Sequence, residues 1–229
     1  MREIVLDTET TGLDPFDGHR IVEIGALELH NHLPTGRTYH QYINPERDMP
    51  PEAFAVHGLS ETFLSEKPVF ANIADDFLAF VDGAPLVIHN ASFDMKFINA
   101  ELKWVNKPAL PPEQAIDSLA LARKKHPMGP NSLDALCKRY NVDNAMRDLH
   151  GALLDSELLA QVYLELIGGR QQSLTLVDLT GRGDGHSIQT TAVRPRPKPL
   201  APRLSKAEIA AHDTMVASLG DAALWKKLN

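Results

Sequence analysis

The sequence lacks the features that mark secreted and membrane-spanning proteins. Cys137 is the only cysteine among 229 residues, so no intrachain disulfide can form. No stretch approaches the roughly 18 uninterrupted apolar residues of a membrane span, and the charged N-terminus lacks the apolar core of a signal peptide. We therefore expect a cytoplasmic protein without membrane contact. Cys137 lies at helical spacing from Leu133, Leu136 and Tyr140, which favours core packing over a nucleophilic role.

Positive charge is scarce in the first three quarters of the chain. Residues 1–170 contain 15 Lys and Arg against 25 Asp and Glu, a balance of −10. Residues 171–229 contain 8 against 5, a balance of +3. Affinity for nucleic acid ordinarily depends on Lys and Arg that displace counterions from phosphates. If the acidic part acts on DNA, metal ions or partner proteins must therefore contribute to binding.

Apolar periodicity predicts one α/β domain over residues 1–170, with helices covering a mixed sheet. The predicted strands are 3–10, 21–29, 38–43 and 85–90. The predicted helices are 70–82, 92–104, 117–126, 132–141 and 151–167, with Ser92 capping the second and Ser132 the fourth. Gly25 separates two apolar pairs of the second strand that face opposite sides, and we interpret it as a β-bulge.

Carboxylates occur in two short motifs beside predicted strands. Asp7 and Glu9 end an apolar strand, where side chains two residues apart project from one face about 6–7 Å apart. Such a pair can hold a divalent cation, although surface acids at a strand end give the same pattern. Asp94 follows the buried strand of segment 89–94 and enters the first turn of a helix, where the helix dipole favours anions. Helix capping alone would also explain Asp94.

His150 and Asp155 form a third polar feature. A spacing of five residues turns about 140° around a helix, so the two side chains cannot form an i, i+4 metal pair on one face. We therefore expect His150 to precede the helix and Asp155 to lie inside it.

Together these motifs resemble the DEDD exonuclease superfamily in its histidine-bearing branch. The matching patterns are Asp7-x-Glu9, His89-Asn90-x-x-Phe93-Asp94 and His150-x-x-x-x-Asp155. Within that branch, segments 7–13, 131–137 and 149–155 resemble the proofreading (epsilon) subunits of bacterial DNA polymerase III. The resemblance implies a ribonuclease-H-like fold and a 3′–5′ DNA exonuclease that releases nucleoside monophosphates. It also implies two divalent cations, Mg²⁺ or Mn²⁺, held by Asp7, Glu9, Asp94 and Asp155, with His150 as general base.

Elementary chemistry agrees with that arrangement. Four converging carboxylates would repel one another unless cations neutralised them, and oxygen ligands select hard ions such as Mg²⁺ and Mn²⁺. Two ions roughly 3.5–4 Å apart can hold the attacking water and the leaving 3′ oxygen in line. A histidine can accept the proton of the water near neutral pH.

The resemblance also implies contacts with the terminal nucleotide of the substrate. The predicted substrate-binding residues are Asp7, Glu9, Thr10, Leu13, Glu52, His57, Asn90, Phe93 and Asp155. Apolar side chains among them could sandwich an unpaired base, although core packing explains Phe93 equally well. A mispaired 3′ end unstacks more easily than a paired end, so a preference for mismatches follows.

The C-terminal part is predicted to make protein contacts. Gln171, Leu174 and Leu176, in segment 171–176, resemble the Gln-x-x-Leu-x-Leu peptides that bind the bacterial sliding clamp. Chance or a frayed helix end would also explain so short a motif. Residues 177–203 have the Gly- and Pro-rich composition of a flexible linker.

The last segment, 204–229, begins with the capping-box pattern of Ser205 and Glu208, which predicts a short helix. The resemblance implies that this tail binds the polymerase alpha subunit, whereas a helix packed on its own domain is the alternative. A small accessory subunit is a further partner suggested by the resemblance.

Two other functions fit the motifs. An RNA-trimming exonuclease would use the same five residues, and an assembly module would retain the fold without catalysis. The complete set of carboxylates and histidine argues against the second.

Overall fold

A computed structural model of the chain describes residues 1–144, 149–168 and 204–219. These residues fall into two compact units, one within Met1–Thr175 and the other within Leu176–Asn229. No helix in the described ranges is long and apolar enough to cross a membrane. The predicted clamp-binding peptide and linker, 171–203, lie outside the described residues, as do residues 220–229.

A five-stranded mixed sheet forms the centre of the first unit. Its strands are β1 (Arg2–Thr10), β2 (Ile21–His30), β3 (Leu33–Tyr42), β4 (Leu86–Ile88) and β5 (Ala115–Asp117). Their order across the sheet is β3-β2-β1-β4-β5. The pairs β1–β2 and β2–β3 are antiparallel, whereas β4 runs parallel to both β1 and β5. The mixed sheet confirms the predicted α/β class.

The described residues of this unit also form seven α-helices. They are α1 (Pro51–His57), α2 (Glu61–Ser65), α3 (Phe70–Val81), α4 (Ala91–Trp104), α5 (Ser118–Lys125), α6 (Leu133–Tyr140) and α7 (Ala152–Leu166). Two short 3-10 helices, Pro15–Asp17 and Pro112–Gln114, lie in connecting segments. The second unit contains α8 (Lys206–Ser218).

The sheet separates two apolar cores, because successive side chains of a strand point to opposite faces. Ile4 and Leu6 of β1 pack in a cluster with α3 and α4, whereas Val5 packs in a cluster with α5, α6 and α7. Cys137 is completely buried in the second cluster, which confirms the prediction that it packs in the core. Burying each large side chain stabilises the fold by about 1.5–3 kcal/mol before entropy is counted.

Gly25 is not a β-bulge, contrary to our interpretation. It pairs in register with Asp7 of β1 and with His40 of β3. Because β2 is buried on both faces, apolar residues can face either side of it without a bulge. The glycine is needed for space. A Cβ at this position would lie 2.1 Å from the backbone nitrogen of Leu153, so α7 rests directly on β2.

Three other local features differ from the prediction. β3 begins earlier than residue 38, because Asn31 and His32 both adopt positive φ and make a tight two-residue hairpin turn with β2. α4 has Asn90, in the left-handed conformation, as its N-cap, so Ser92 is not the cap. The short elements α1, α2 and β5 were not predicted.

Two predicted caps are confirmed. The Ser132 side chain accepts a hydrogen bond from the backbone N–H of Ala135 at the start of α6. Ser205 and Glu208 form the reciprocal capping box of α8.

Candidate active site

A cavity of about 270 Å³ opens where β1 ends. It is lined by Asp7, Thr8, Glu9, His89, Phe93, Asp94, Ser132, Leu133, Asp134, His150 and Asp155. The structure therefore brings together all five residues that the sequence predicts for metal binding and catalysis.

β1 contributes Asp7 and Glu9 to the cavity. Both project from the same face as Val5, the face covered by α7, since they lie two and four residues further along the strand. Glu9 is buried and Asp7 is half-buried. The predicted carboxylate pair on one strand face is thus present.

Asp94 reaches the cavity from α4, on the opposite side of the sheet. Its carboxylate accepts hydrogen bonds from the backbone N–H of Thr8 (3.1 Å) and from the Thr8 hydroxyl (2.7 Å). Burial raises the pKa of Asp94 to about 7, although the Thr8 hydrogen bonds lower it. A bound divalent cation would favour the ionised form and offset this cost of burial.

Asp155 lies in the first turn of α7, and His150 precedes the helix, as the spacing predicts. The Nδ1 atom of His150 is 3.1 Å from Oδ2 of Asp155. When Nδ1–H donates to that carboxylate, Nε2 is the nitrogen that can accept a proton. The backbone N–H of His150 also donates to the carbonyl of Val56 (3.1 Å), so α1 helps to place the histidine.

The donor atoms fit a hard divalent cation. Ligand atoms of Glu9, His150 and Asp155 lie within 4.8 Å of one another. Asp7 and Asp94 line the same cavity but do not belong to that tight cluster. The oxygen-rich donor set is the kind that Mg²⁺ and Mn²⁺ prefer.

A second cavity of about 590 Å³ adjoins the first, and we call it the nucleotide groove. Thr8, Glu9 and Phe93 line both spaces, and the predicted substrate residues Thr10, Leu13, Glu52 and His57 line the nucleotide groove. Its other lining residues are Thr11, Gly12, Asp14, Asp17, His19, Pro50, Ala53 and Val56.

The position of Phe93 is compatible with both core packing and contact with a substrate base. It is half-buried, with its ring centroid 5.0 Å from that of Phe97 at the edge of the core, and it also faces the cavities. Leu13, by contrast, is 83% exposed at the rim of the nucleotide groove.

His57 lines the nucleotide groove, and burial favours its neutral form. Its Nδ1 accepts a hydrogen bond from the backbone N–H of Leu59 (3.0 Å), so the neutral ring carries its proton on Nε2. Burial lowers the pKa of His57; the Thr10 backbone raises it in part, and nearby His150 lowers it further. Buried Nε2 has no well-aligned hydrogen-bond partner among the described residues.

Asn90 lies outside both cavities. It is exposed at the start of α4 and lines a separate pocket with His89 and Arg123. Three features of the cavities were not predicted from the sequence, namely Thr8, Val56 and the α6 residues of the cavity wall. The resemblance of segment 131–137 pointed to the α6 residues but gave no role to any one of them.

Comparison with known proteins agrees with this geometry. The Exonuclease family model matches residues 4–163. A DNA polymerase III subunit epsilon from Rickettsia felis is 48% identical over 222 residues, which cover 96% of this chain and 97% of that protein. One from Escherichia coli K12 is 43% identical over 237 residues, which cover 98% and 97%.

The chain belongs to the epsilon-subunit family of DNA polymerase III. It is therefore a 3′–5′ exonuclease of the proofreading type.

Solved exonuclease structures share the fold of this epsilon-family chain. Exonuclease X in complex with 5′ overhanging duplex DNA is 27% identical, with a TM-score of 0.56, and the match covers 72% of this chain and 90% of that one. The nuclease domain of a 3′ exonuclease, a DEDDh family member bound to rAMP, is 18% identical, with a TM-score of 0.63 and coverage of 72% and 91%. These matches confirm the expected ribonuclease-H-like fold.

Proposed function

We propose that the cavity hydrolyses the terminal phosphodiester bond at a DNA 3′ end and releases a nucleoside monophosphate. The convergence of Asp7, Glu9, Asp94, Asp155 and His150, the five predicted residues, on this cavity carries the proposal. Exonucleases of this family use two divalent metal ions, and we propose Mg²⁺ or Mn²⁺ here.

Asp7, Glu9, Asp94 and Asp155 would hold the two ions. When bound, such ions align the attacking water with the leaving 3′ oxygen and offset the charge that develops on the phosphate. His150 acts as general base. Its Nε2 takes the proton of the attacking water while Nδ1–H stays hydrogen-bonded to Asp155, which keeps the ring in the required tautomer.

The nucleotide groove would hold the terminal nucleotide. Leu13 and Phe93 offer apolar surface to the base, and Thr10, Glu52 and His57 line the same groove. A mispaired terminus enters more readily because less stacking is lost. A substrate contact of Asn90 stays a prediction. It would require the DNA strand to extend past the start of α4, where Asn90 lines a separate pocket.

We further propose that the chain works in the cytoplasm as the proofreading subunit of a replicative DNA polymerase. Segment 171–176 would bind the sliding clamp, 177–203 would act as a linker, and 204–229 would bind the polymerase alpha subunit. In support, α8 buries none of its residues, and Ile209, Met215 and Leu219 are each at least 44% exposed. A small accessory subunit is a further candidate partner.

The decisive experiment measures mononucleotide release from 5′-labelled single-stranded DNA with Mg²⁺ or Mn²⁺. Asp7→Asn and Asp155→Asn should abolish release while the fold is retained, because each removes metal-binding charge without changing core volume. Asp75→Asn is the matched control, since Asp75 is an exposed carboxylate of α3 paired with Lys107. Full activity of either site variant would refute the two-metal assignment. Faster release from the matching RNA would instead favour the RNA-trimming alternative.

A further inference from the structure

Glu23 is a buried carboxylate of β2 outside the proposed set of metal ligands. It is 3% exposed and lies directly opposite Glu9 in the β1–β2 pair, so the two side chains project from the same face. One oxygen, Oε2, accepts a hydrogen bond from the backbone N–H of Ala152 (3.2 Å). The other, Oε1, is 2.6 Å from Nε2 of His40 on β3.

The bond to Ala152 compensates for a cap that α7 lacks. The N-cap of α7 is Gly151, which has no side chain to accept a hydrogen bond. The first backbone N–H groups of a helix have no partner within the helix, and the positive end of its dipole favours a negative charge. Glu23 therefore caps α7 from a neighbouring strand.

This bond joins the helix that carries one half of the proposed active site to the strand beside the other half. Asp155 lies in the first turn of α7 and His150 directly precedes Gly151, whereas Glu9 is on β1 beside Glu23. Two further contacts hold the same turn on β2: the Ser156 hydroxyl donates to the carbonyl of Gly25 (2.8 Å), and Gly25 itself leaves no room for a Cβ.

His40 fixes the orientation of the Glu23 carboxylate. Its ring pairs with Oε1 and packs edge-on against Tyr42, with centroids 4.7 Å apart. With Oε1 held by the edge strand, Oε2 stays directed at the start of α7. One carboxylate thus connects β3, β2 and the helix that carries Asp155.

We propose that Glu23 is a positioning residue for hydrolysis, with His40 as its support. It holds the first turn of α7, and with it Asp155 and His150, in register with Asp7 and Glu9. The inference depends on the proposed roles of those four residues. A displacement of reacting groups by about 1 Å can cost about 100-fold in rate, so a small shift of α7 is sufficient.

The test compares kcat, KM and the Mn²⁺ concentration for half-maximal rate among Glu23 variants of the full chain. Glu23→Ala should lower kcat by about 100-fold and raise the Mn²⁺ requirement, with little change in KM for DNA. Glu23→Gln retains an acceptor for Ala152 and should recover most of kcat. Glu157→Ala, an exposed position on the same helix, should behave as wild type.

A second variant separates positioning from simple stabilisation. Gly151→Ser, in the Glu23→Ala background, gives α7 a cap of its own at a position with open space around the Cβ. The double variant should regain thermal stability but not kcat, because the tether to β2 is still missing. Recovery of kcat together with stability would show that Glu23 only caps the helix.

The remaining outcomes are also distinct. If Glu23→Ala does not fold, His40→Ala should still show a smaller loss of kcat in the same direction, and an unchanged kcat there would overturn the proposal. If Glu23→Ala has the wild-type kcat and Asp155→Asn is inactive, the positioning role of Glu23 is refuted but the proposed function is not. Activity in Asp155→Asn would instead refute the proposed function.

Discussion

The Thr8 hydroxyl donates a 2.7 Å hydrogen bond to the Asp94 carboxylate, across 86 residues of sequence. Burial raises the pKa of Asp94 to about 7, whereas this hydrogen bond favours the charged form of the carboxyl. Because Asp94 must be ionised to hold a cation, the bond also tunes the pH at which the proposed site accepts metal.

Thr8→Val should therefore move the acid limb of the activity profile to higher pH. Loss of a hydrogen bond to the charged form raises the pKa of Asp94 further. Below that pKa, the proton competes with the metal, so the rate at limiting Mn²⁺ falls sooner as pH falls. Saturating Mn²⁺ should restore the wild-type profile.

The control for this measurement is Thr35→Val, which removes a hydroxyl bonded to Glu28 at some distance along the sheet. Superimposable profiles of Thr8→Val and wild type at limiting Mn²⁺ would contradict the assignment of Asp94 as a ligand.

His150→Ala should lower turnover by about 10²–10⁴-fold, the usual contribution of a general base. The carboxylates are intact in this variant, so Mn²⁺ should still bind and raise the melting temperature. Calorimetric titration with Mn²⁺ beside single-turnover kinetics separates the two effects. If Mn²⁺ binding disappears together with turnover, His150 is a ligand rather than a base.

Glu101→Gln should destabilise the protein by about 3 kcal/mol, because it leaves Arg20 without its buried carboxylate. Glu101 is completely buried and accepts two hydrogen bonds from Arg20, at 2.7 and 2.8 Å. Urea unfolding gives the free-energy difference. Asp75→Asn breaks an exposed pair with Lys107 and should cost less than about 1 kcal/mol, so equal losses in the two variants would be unexpected.

Gly25→Ala should destabilise the fold by about 1–3 kcal/mol and reduce activity, since the new methyl group would displace the start of α7. Thermal unfolding and kcat report the two effects. Gly151→Ala, where a Cβ meets nothing within 4 Å, is the matched control and should change the melting temperature far less.

Removal of residues 204–229 should leave hydrolysis of single-stranded DNA nearly unchanged and abolish stable association with the polymerase. Residues 1–170 carry a net charge of −10, so we expect them to bind DNA weakly and attachment to supply the local concentration. Co-elution with polymerase and clamp tests both contacts. Alanine at Gln171, Leu174 and Leu176 should weaken clamp binding alone; normal binding by both proteins would refute the tail assignments.

Sequence periodicity was informative where the local pattern alone determines the structure. The five-residue spacing of His150 and Asp155 placed one before α7 and the other within it, and Ser132 marked the start of α6. Both follow from helix geometry and from the orphan N–H groups of a helix end.

The features that the sequence did not predict depend on contacts between distant segments. α1 and α2 have seven and five residues, and each buries a single side chain, so neither has an apolar period to recognise. The bond from Ala152 to Glu23 spans 129 residues, and no local pattern distinguishes that acid from a surface one. The same holds for the bond between Thr8 and Asp94.

The cavity lies on a boundary between two layers of the protein. Asp94 comes from the layer of α3 and α4, and Asp155 from that of α5, α6 and α7, with β1 between them. Ions held by residues of both layers would join the layers at the end of the central strand, in addition to their part in hydrolysis. We expect chelators, which remove the ions, to increase the motion of one layer relative to the other before either layer unfolds. Rigidity and activity would then be lost together.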